Sequence, residues 1–312
     1  MTINVNLETF AGLPVLDWAE HRPGDDPSAV AWRVMTEEYD LAPDEFEAAF
    51  EGMLDRAGDG GPAALVIGQW GGAYETGPPI DLLVRLAPRM TALRSLFLGD
   101  MRFEECEISW IKQGDLAPLL RAFPRLKRLA VRGADGLEIS TPLRHESLRD
   151  LEFQTGGLPV PVLRSITELE LPALERLHLW LGVEDYGGTD TVDPVLPFLD
   201  EGAVARWPRL TALGLCDSEV QDEIAAAVAT SPVVPRLRAL SLSMGSLGDV
   251  GAEALLAGQP LTHLETLDLH HHFMTPPVVQ RLVAALPSVR VDVGDPQEED
   301  PEWPRRFAEV RE

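Results

Sequence analysis

The stretch Trp207-Pro-Arg-Leu210-Thr-Ala-Leu213-Gly-Leu215 decides the fold, because the same phrase, apolar-x-x-Leu-x-x-Leu-x-Leu, occurs in seven copies along the chain. The first consensus leucine of each copy stands at position 93, 126, 148, 174, 210, 237 or 264, so the spacing averages 28.5 residues. The alternation Leu-x-Leu is typical of a strand with one buried face. Several copies are followed by alanine-rich segments with apolar residues at three-to-four spacing, at 222–229, 249–256 and 277–284, and these predict helices. Each repeat is therefore predicted to be strand, turn and helix.

Repeats of this length and pattern resemble the ribonuclease-inhibitor-like class of leucine-rich-repeat proteins, over roughly residues 63–294. The resemblance implies an α/β leucine-rich-repeat solenoid, or horseshoe, with parallel strands on the concave face and helices on the convex face. One position departs from the pattern. The slot three residues after the last strand leucine, which normally holds a turn-bonding Asn, holds residues such as Met101, Gly245 and His272 here. We therefore expect an irregular horseshoe whose turns are satisfied by other groups.

The two ends of the chain differ from the repeats. Residues 1–62 lack the phrase but contain a predicted strand at 29–34 and a predicted helix at 43–56, so we predict an amino-terminal cap. The segment 62–68 is predicted to be the first solenoid strand, and 286–293 a shortened last repeat. The predicted domains are thus a cap at 1–62, a solenoid at 63–294 and an acidic, Pro-rich tail at 295–312.

Composition excludes several classes of protein. The 312 residues carry 26 Lys and Arg against 51 Asp and Glu, a net charge of −25, which disfavours binding to nucleic acid or to anionic membranes. No long apolar run is present, the first residues lack the pattern expected of a signal peptide, and the two cysteines, Cys106 and Cys216, form no CxxC pair. We expect a cytoplasmic protein without a P-loop, since neither lysine follows a GxxxxGK[ST] motif.

Strand alternation predicts which side chains lie on the concave face, because residues next to the core leucines point the other way. The candidate binding residues on this face are Phe97, Arg132, Glu152, Gln154, His178, Trp180, Asp268 and His270. Exposed aromatic side chains on a rigid sheet are typical anchors for a protein or peptide, so Phe97 and Trp180 are the leading candidates. The alternative is that a long loop folds over these two side chains.

Two long intervals between repeats predict loops at the carboxyl ends of their strands. Together with the residues after a third strand, these loops would form an acidic rim that selects or steers a partner. The rim candidates are Asp100, Glu104, Glu105, Glu184, Asp185, Tyr186, Asp217 and Glu219. The alternative is a set of solvated carboxylates with no partner.

The run His270-His271-His272 follows a predicted strand and suggests a second hypothesis, a metal-dependent enzyme or metal-binding protein. The candidate ligands are His270, His271 and Asp268, with rim carboxylates beside them. Consecutive residues of an extended chain point in opposite directions, so the three imidazoles are not expected to face one ion, and His272 is expected to bond backbone instead. No spacing matches HExxH or paired CxxC.

Several phrases also resemble a bacterial leucine-rich-repeat family without an established activity. These are Leu96-Phe-Leu-Gly-Asp100, Glu105-Cys-Glu-Ile-Ser-Trp-Ile111, Leu179-Trp-Leu-Gly182 with Asp185-Tyr-Gly-Gly188, and Leu267-Asp-Leu-His-His-His272. The resemblance implies a non-catalytic member of a biosynthetic or modification gene cluster that recognises a partner enzyme or a peptide. The sequence therefore predicts a monomeric binding scaffold with no cofactor.

Overall fold

The computed structural model describes residues 3–22, 26–36, 43–299 and 305–310, and these form two compact units. The amino-terminal unit comprises the chain up to Gln154 together with Glu168–Leu171. The carboxy-terminal unit comprises Thr155–Thr167 and the chain from Pro172 onwards. Each unit is an α/β structure with an open, mostly parallel sheet whose strands follow chain order.

The sheet of the amino-terminal unit has seven strands. They are β1 (Thr9–Phe10), β2 (Leu13–Asp17), β3 (Ala31–Val34), β4 (Ala64–Ile67), β5 (Ser95–Leu98), β6 (Arg128–Arg132) and β7 (Asp150–Gln154). Strands β1 and β2 form an antiparallel hairpin, and every later pairing in this unit is parallel. The helices are α1 (Pro43–Ala57), α2 (Ile80–Leu86) and α3 (Ala117–Ala122), with short 3-10 turns at Ala87–Arg89 and Ile108–Trp110. The predictions of a strand at 29–34, a helix at 43–56 and a strand at 62–68 are confirmed as β3, α1 and β4.

The carboxy-terminal unit continues the alternation of strand and helix. Its parallel strands are β8 (Arg176–Gly182), β9 (Ala212–Ser218), β10 (Ala239–Ser241), β11 (Thr266–Asp268) and β12 (Arg290–Asp292). Its helices are α4 (Val160–Glu168, whose last residue is counted with the amino-terminal unit), α5 (Glu201–Arg206), α6 (Gln221–Val228), α7 (Asp249–Ala257) and α8 (Pro276–Ala285). Short 3-10 turns lie at Glu184–Tyr186, Leu196–Phe198 and Val234–Arg236. The three predicted alanine-rich helices are confirmed as α6, α7 and α8.

The consensus leucines set the strand register in both units. Leu96 pairs with Leu129, and Leu129 with Leu151. In the carboxy-terminal sheet the pairing joins Leu177, Leu213, Leu240 and Leu267 in one row. All seven are at most 2% exposed, so these leucines form one buried side of each sheet. We call this side the leucine face. We call the opposite side, which the sequence predicts to be concave, the second face.

The shortest repeat interval differs from the predicted unit of strand, turn and helix. Residues 133–149, which join β6 to β7, form turns and isolated bridges and contain no helix. The interval of 22 residues between the consensus leucines at 126 and 148 leaves too little chain for a strand, two turns and a helix. The prediction of a helix in every repeat was therefore wrong at this position.

Helix length also bears on membrane association. Within the described ranges, every helix is too short or too polar to cross a lipid bilayer.

Candidate functional site

The second face of the amino-terminal unit carries a small apolar core rather than an open surface. Phe97, predicted to be an exposed anchor, is 2% exposed. Phe10 of β1 packs edge-on against it, with ring centroids 5.7 Å apart. Small residues of β3, β4 and β6 complete this cluster, namely Ala31, Ala64, Val66 and Ala130, and Leu7, Leu13 and Val15 pack against it. The prediction that Phe97 is exposed was wrong, because the amino-terminal hairpin β1–β2 folds over it.

Next to this core, the predicted residues Arg132, Glu152 and Gln154 form one buried hydrogen-bonded network. Arg132 Nε donates to Gln154 Oε1 at 3.0 Å, and Gln154 Nε2 donates to Glu152 Oε1 at 2.7 Å. Arg128 donates to the other oxygen of Glu152 at 3.0 Å. The Arg132 guanidinium also lies over the Phe97 ring, 5.2 Å from its centroid. The three predicted residues thus lie together, but they are at most 9% exposed and their polar groups bond to neighbouring residues of the protein.

Asp100, predicted for the acidic rim, is completely buried beside this network. It lies 3.4 Å from Arg33 and 3.5 Å from Arg132, and it accepts the backbone N–H of Leu7. Burial raises the pKa of Asp100 above its usual value, although the two arginines oppose the shift. Burial also disfavours the charged form of Arg132 and so lowers the pKa of its guanidinium. The prediction of a solvent-facing Asp100 was wrong, because the amino-terminal segment covers it and the carboxylate organises the interior.

The second face of the carboxy-terminal unit carries a row of polar side chains across β8 to β11. The His178 Nε2 atom lies 3.2 Å from the Cys216 thiol, which lies 3.1 Å from Ser241 Oγ. Ser241 donates to Asp268 Oδ2 at 3.2 Å, and His270 Nδ1 lies 2.8 Å from Asp268 Oδ1. We call these five residues the polar row. It brings together His178, Asp268 and His270, which the sequence predicted as binding residues, with Cys216 and Ser241, which were not among the predicted binding residues.

A glycine makes the first contact of this row possible. A Cβ atom on Gly214, the neighbour of His178 in the pairing of β8 and β9, would lie 2.1 Å from the imidazole ring. The missing side chain lets the ring lie across β9 and reach the Cys216 thiol. The local sequence Leu213-Gly-Leu215-Cys216 therefore positions His178 as well as Cys216.

The charges of the polar row depend on these contacts. Burial raises the pKa of the Cys216 thiol, but His178 and the hydroxyl groups of Ser241 and Ser243 outweigh it, so the pKa lies below its ordinary value. The pKa of Asp268 is likewise lowered, because hydrogen bonds from His270 outweigh its burial. Asp268 and Glu309 raise the pKa of His270 to about 10. The row therefore contains a cationic His270 beside an anionic Asp268 at neutral pH.

Trp180, the second predicted anchor, lies beside the polar row. It pairs with Cys216 in the register of β8 and β9, and its side chain is partly rather than fully exposed. Its indole N–H is buried and has no acceptor among the residues that the structure describes. An unmet donor of this kind costs free energy unless a ligand or water satisfies it.

The remaining rim candidates divide by exposure. Glu104, Glu184, Asp185 and Glu219 are exposed, and Glu105 and Tyr186 are partly buried. Asp217 is fully buried, and its carboxylate accepts the backbone N–H of Val310 at 2.8 Å. Burial raises the pKa of Asp217 well above its usual value, although the Val310 N–H opposes the shift. The expectation that Asp217 faces solvent was therefore wrong, because the end of the chain lies on it.

The carboxy-terminal segment, residues 305–310, runs across the turns that follow β9, β10 and β11. The Glu309 N–H donates to Met244 O at 2.7 Å, and the Phe307 ring packs against His271, with centroids 5.4 Å apart. Arg306 forms an ion pair with Asp222 at 2.8 Å. A left-handed residue recurs at equivalent positions at or just after the ends of these strands, namely Asp217, Met244 and His271.

The histidine run divides into three different environments. His270 ends the polar row, and His271 is buried, with Nδ1 3.1 Å from Asp295 Oδ2. His272 accepts the Met274 N–H at 3.1 Å, and its Nε2 lies 3.2 Å from Val293 O. The expectation that His272 bonds backbone is thus confirmed.

Some candidate residues escaped the sequence analysis. Asp295 and Glu309 approach His271 from the tail, and no spacing rule connects them with it. Phe103 and Trp110 are exposed aromatics, 39% and 51% exposed, in the long loop after β5. The long repeat interval and the phrase around Trp110, which resembles the bacterial family, both marked this loop, but neither pointed to these two side chains.

Comparison with solved structures shows what this chain is similar to. A protein from Bacteroides fragilis, known from its crystal structure, is similar to this chain, with 32% sequence identity and a TM-score of 0.76. The similarity covers 89% of this chain and 78% of that one. Comparisons with protein-family models and with curated proteins find no match.

Proposed function

We propose that this chain, which belongs to the same family as the Bacteroides fragilis protein, is a non-catalytic scaffold that binds another protein or a peptide through the second face of its carboxy-terminal unit. The proposed binding residues are Trp180 and the exposed members of the polar row. The proposal includes the finer fold assignment, a leucine-rich-repeat solenoid of the ribonuclease-inhibitor-like class. We also propose that the protein is a cytoplasmic monomer that serves a partner enzyme of a bacterial biosynthetic or modification cluster.

One observation carries the proposal: the partly exposed side chain of Trp180 lies beside a partly exposed row of hydrogen-bonding groups. Asp268 and His270 are 36% and 34% exposed at their side chains, so both remain available to a ligand. A large aromatic residue next to charged groups is the composition expected of a binding hot spot.

The contrast between the two units supports this location. In the amino-terminal unit, the hairpin β1–β2 occupies the corresponding part of the second face and buries Phe97. The exposed rim carboxylates Glu184, Asp185 and Glu219 belong to the carboxy-terminal unit, and we propose that they steer the partner towards its sheet. In the amino-terminal unit, Glu104 and Glu105 would act in the same way.

The proposal is tested by capturing the partner from the native host, identifying it by mass spectrometry and measuring its affinity for purified variants by titration calorimetry. Trp180→Ala should weaken binding by more than about 2 kcal/mol, or roughly 30-fold. Val283→Ala, which shortens an exposed side chain of α8, is the matched control and should leave the affinity unchanged.

A second variant distinguishes the proposed surface from another exposed aromatic site. If Trp110→Ala removes binding and Trp180→Ala does not, the partner docks on the loop after β5 and the proposed surface is wrong. If neither variant changes the affinity, hot-spot binding through either tryptophan is refuted.

A further inference from the structure

The turn after β11 brings one histidine beside two carboxylates from distant parts of the chain. Ligand atoms of His271, Asp295 and Glu309 all lie within 4.8 Å of one another. The closest pair is His271 Nδ1 and Asp295 Oδ2, at 3.1 Å. His271 and Glu309 are 3% and 9% exposed, and Asp295 remains accessible at the surface with a 57% exposed side chain.

The backbone explains why two consecutive histidines can approach the same carboxylate. His271 has a φ of 53°, in the left-handed region, so the chain is not extended there. The opposite orientation of neighbouring side chains, which holds in a strand, therefore does not apply. As a result both histidines lie near Glu309. His270 Nε2 lies 3.6 Å from Glu309 Oε2, and a ring nitrogen of His271 lies within 4.8 Å of a Glu309 carboxylate oxygen.

One ring nitrogen of each histidine has a hydrogen-bond partner that holds the ring in place. His271 Nε2 lies 3.3 Å from the carbonyl oxygen of Phe307, and His270 Nδ1 lies 2.8 Å from Asp268. In metal sites the imidazole nitrogen that does not bind the ion commonly donates to a carboxylate or a backbone carbonyl, which fixes the tautomer and the ring direction. With His271 Nε2–H donating to Phe307, its Nδ1 is left as a lone-pair donor facing Asp295.

Distances and charge favour a divalent ion at this position. Ligand atoms about 2.1 Å from a tetrahedral Zn²⁺ lie roughly 3.4 Å apart, so the three atoms need to close by no more than about 1.4 Å. A neutral imidazole and two carboxylates carry two negative charges, which a divalent cation would balance. The nitrogen ligand favours a transition ion over Mg²⁺ or Ca²⁺.

We propose that His271, Asp295 and Glu309 bind one divalent transition-metal ion of the Zn²⁺ type. His270 positions the Glu309 carboxylate, and Asp268 and the Phe307 carbonyl hold the two imidazoles. The ion ties the carboxy-terminal segment and the start of the tail to the turn after β11. Three protein ligands leave a coordination position for water or for a group of a bound molecule.

The test uses full-length protein purified without a histidine tag, stripped with a chelator and titrated with Zn²⁺ alone. We expect one bound Zn²⁺ per chain by calorimetry and elemental analysis, with Mg²⁺ and Ca²⁺ failing to compete. Asp295→Asn should weaken Zn²⁺ binding by at least about 100-fold, because loss of an outer partner alone costs about 10–100-fold. Glu298→Gln, which neutralises an exposed acid three residues away, is the matched control and should bind like the wild type.

A second readout follows the tail itself. Bound Zn²⁺ should slow tryptic cleavage after Arg305 and Arg306 in the wild type and in Glu298→Gln, but not in Asp295→Asn. Because Asp295 is exposed, this variant is expected to fold normally, which circular dichroism would verify. Less than one bound Zn²⁺ per chain, or equal affinity in Asp295→Asn and the wild type, would overturn the proposal. Neither measurement requires the partner, so the outcome is independent of the proposed binding function.

Discussion

Phe10 closes the apolar core on the second face of the amino-terminal unit, so Phe10→Ala should destabilise this unit. The side chain is 4% exposed, and its ring contacts Phe97 edge-on at 5.7 Å. The Arg128 guanidinium also lies over the Phe10 ring, 5.0 Å from its centroid. Truncation would remove all of these contacts and leave a cavity under the hairpin β1–β2.

The expected loss follows from the buried area. A phenylalanine side chain buries about 150–250 Å², and at about 25 cal/mol per Å² this area corresponds to about 4–6 kcal/mol as an upper estimate. Measured truncations of buried phenylalanine cost about 3–5 kcal/mol, which we take as the expected loss in the free energy of unfolding. The pair Phe10 and Phe97 should show a coupling of about 0.5–1.5 kcal/mol in a double-mutant cycle.

Guanidinium chloride unfolding, followed by tryptophan fluorescence and circular dichroism, measures this loss. Val5→Ala is the control, because Val5 belongs to the same segment but is 71% exposed and should change stability by less than about 0.5 kcal/mol. If Phe10→Ala costs no more than Val5→Ala, the hairpin does not contribute a core to this unit and the reasoning is refuted.

Two further predictions concern buried polar groups. Asp100→Ala should lower the free energy of unfolding by about 3–5 kcal/mol, because it removes the carboxylate that pairs with the buried Arg132. Denaturant unfolding measures this loss. A loss below about 1 kcal/mol would contradict a buried ion pair between the two residues. Burial lowers the pKa of His145, which lies against Phe123 O and accepts the Leu148 N–H, so its neutral form is favoured in the folded state. The contribution of neutral His145 to the free energy of unfolding is fully present above the pKa of the unfolded chain, about 6.5, and is lost as the pH falls below that value. The denaturant midpoint of the wild type should therefore decrease from pH 8 to pH 5. The midpoint of His145→Gln should decrease less steeply over the same range. An equally steep decrease in His145→Gln would refute this role.

Much of the fold could be predicted from local pattern. The Leu-x-Leu phrase places its leucines on one side of a strand wherever it occurs, and parallel pairing then aligns Leu213 with Leu240 and Leu267. The helix at 43–57 was predictable because Phe46, Phe50 and Leu54 share one face, and all three are buried. These features depend on side-chain periodicity, which a single sequence displays directly.

The candidate site was less predictable, because contacts between distant segments decide which residues are exposed. Phe97 and Asp217 have the positions in their repeats that the pattern predicts, but β1 and the carboxy-terminal segment lie on them. Neither segment carries a repeat phrase that would indicate where it docks. The polar row was partly predictable, since alternation placed His178, Asp268 and His270 on one face.

The sequence by itself determined the repeat, the α/β class, the strand register and the side of the sheet on which the candidate residues of the strands lie. Only the tertiary structure decided that Phe97 and Asp100 are internal and that Asp295 and Glu309 meet His271. The difference has a physical cause. Periodicity reports the direction of a side chain relative to its own strand, whereas exposure and ligand geometry depend on what packs over it from 24 to 94 residues away.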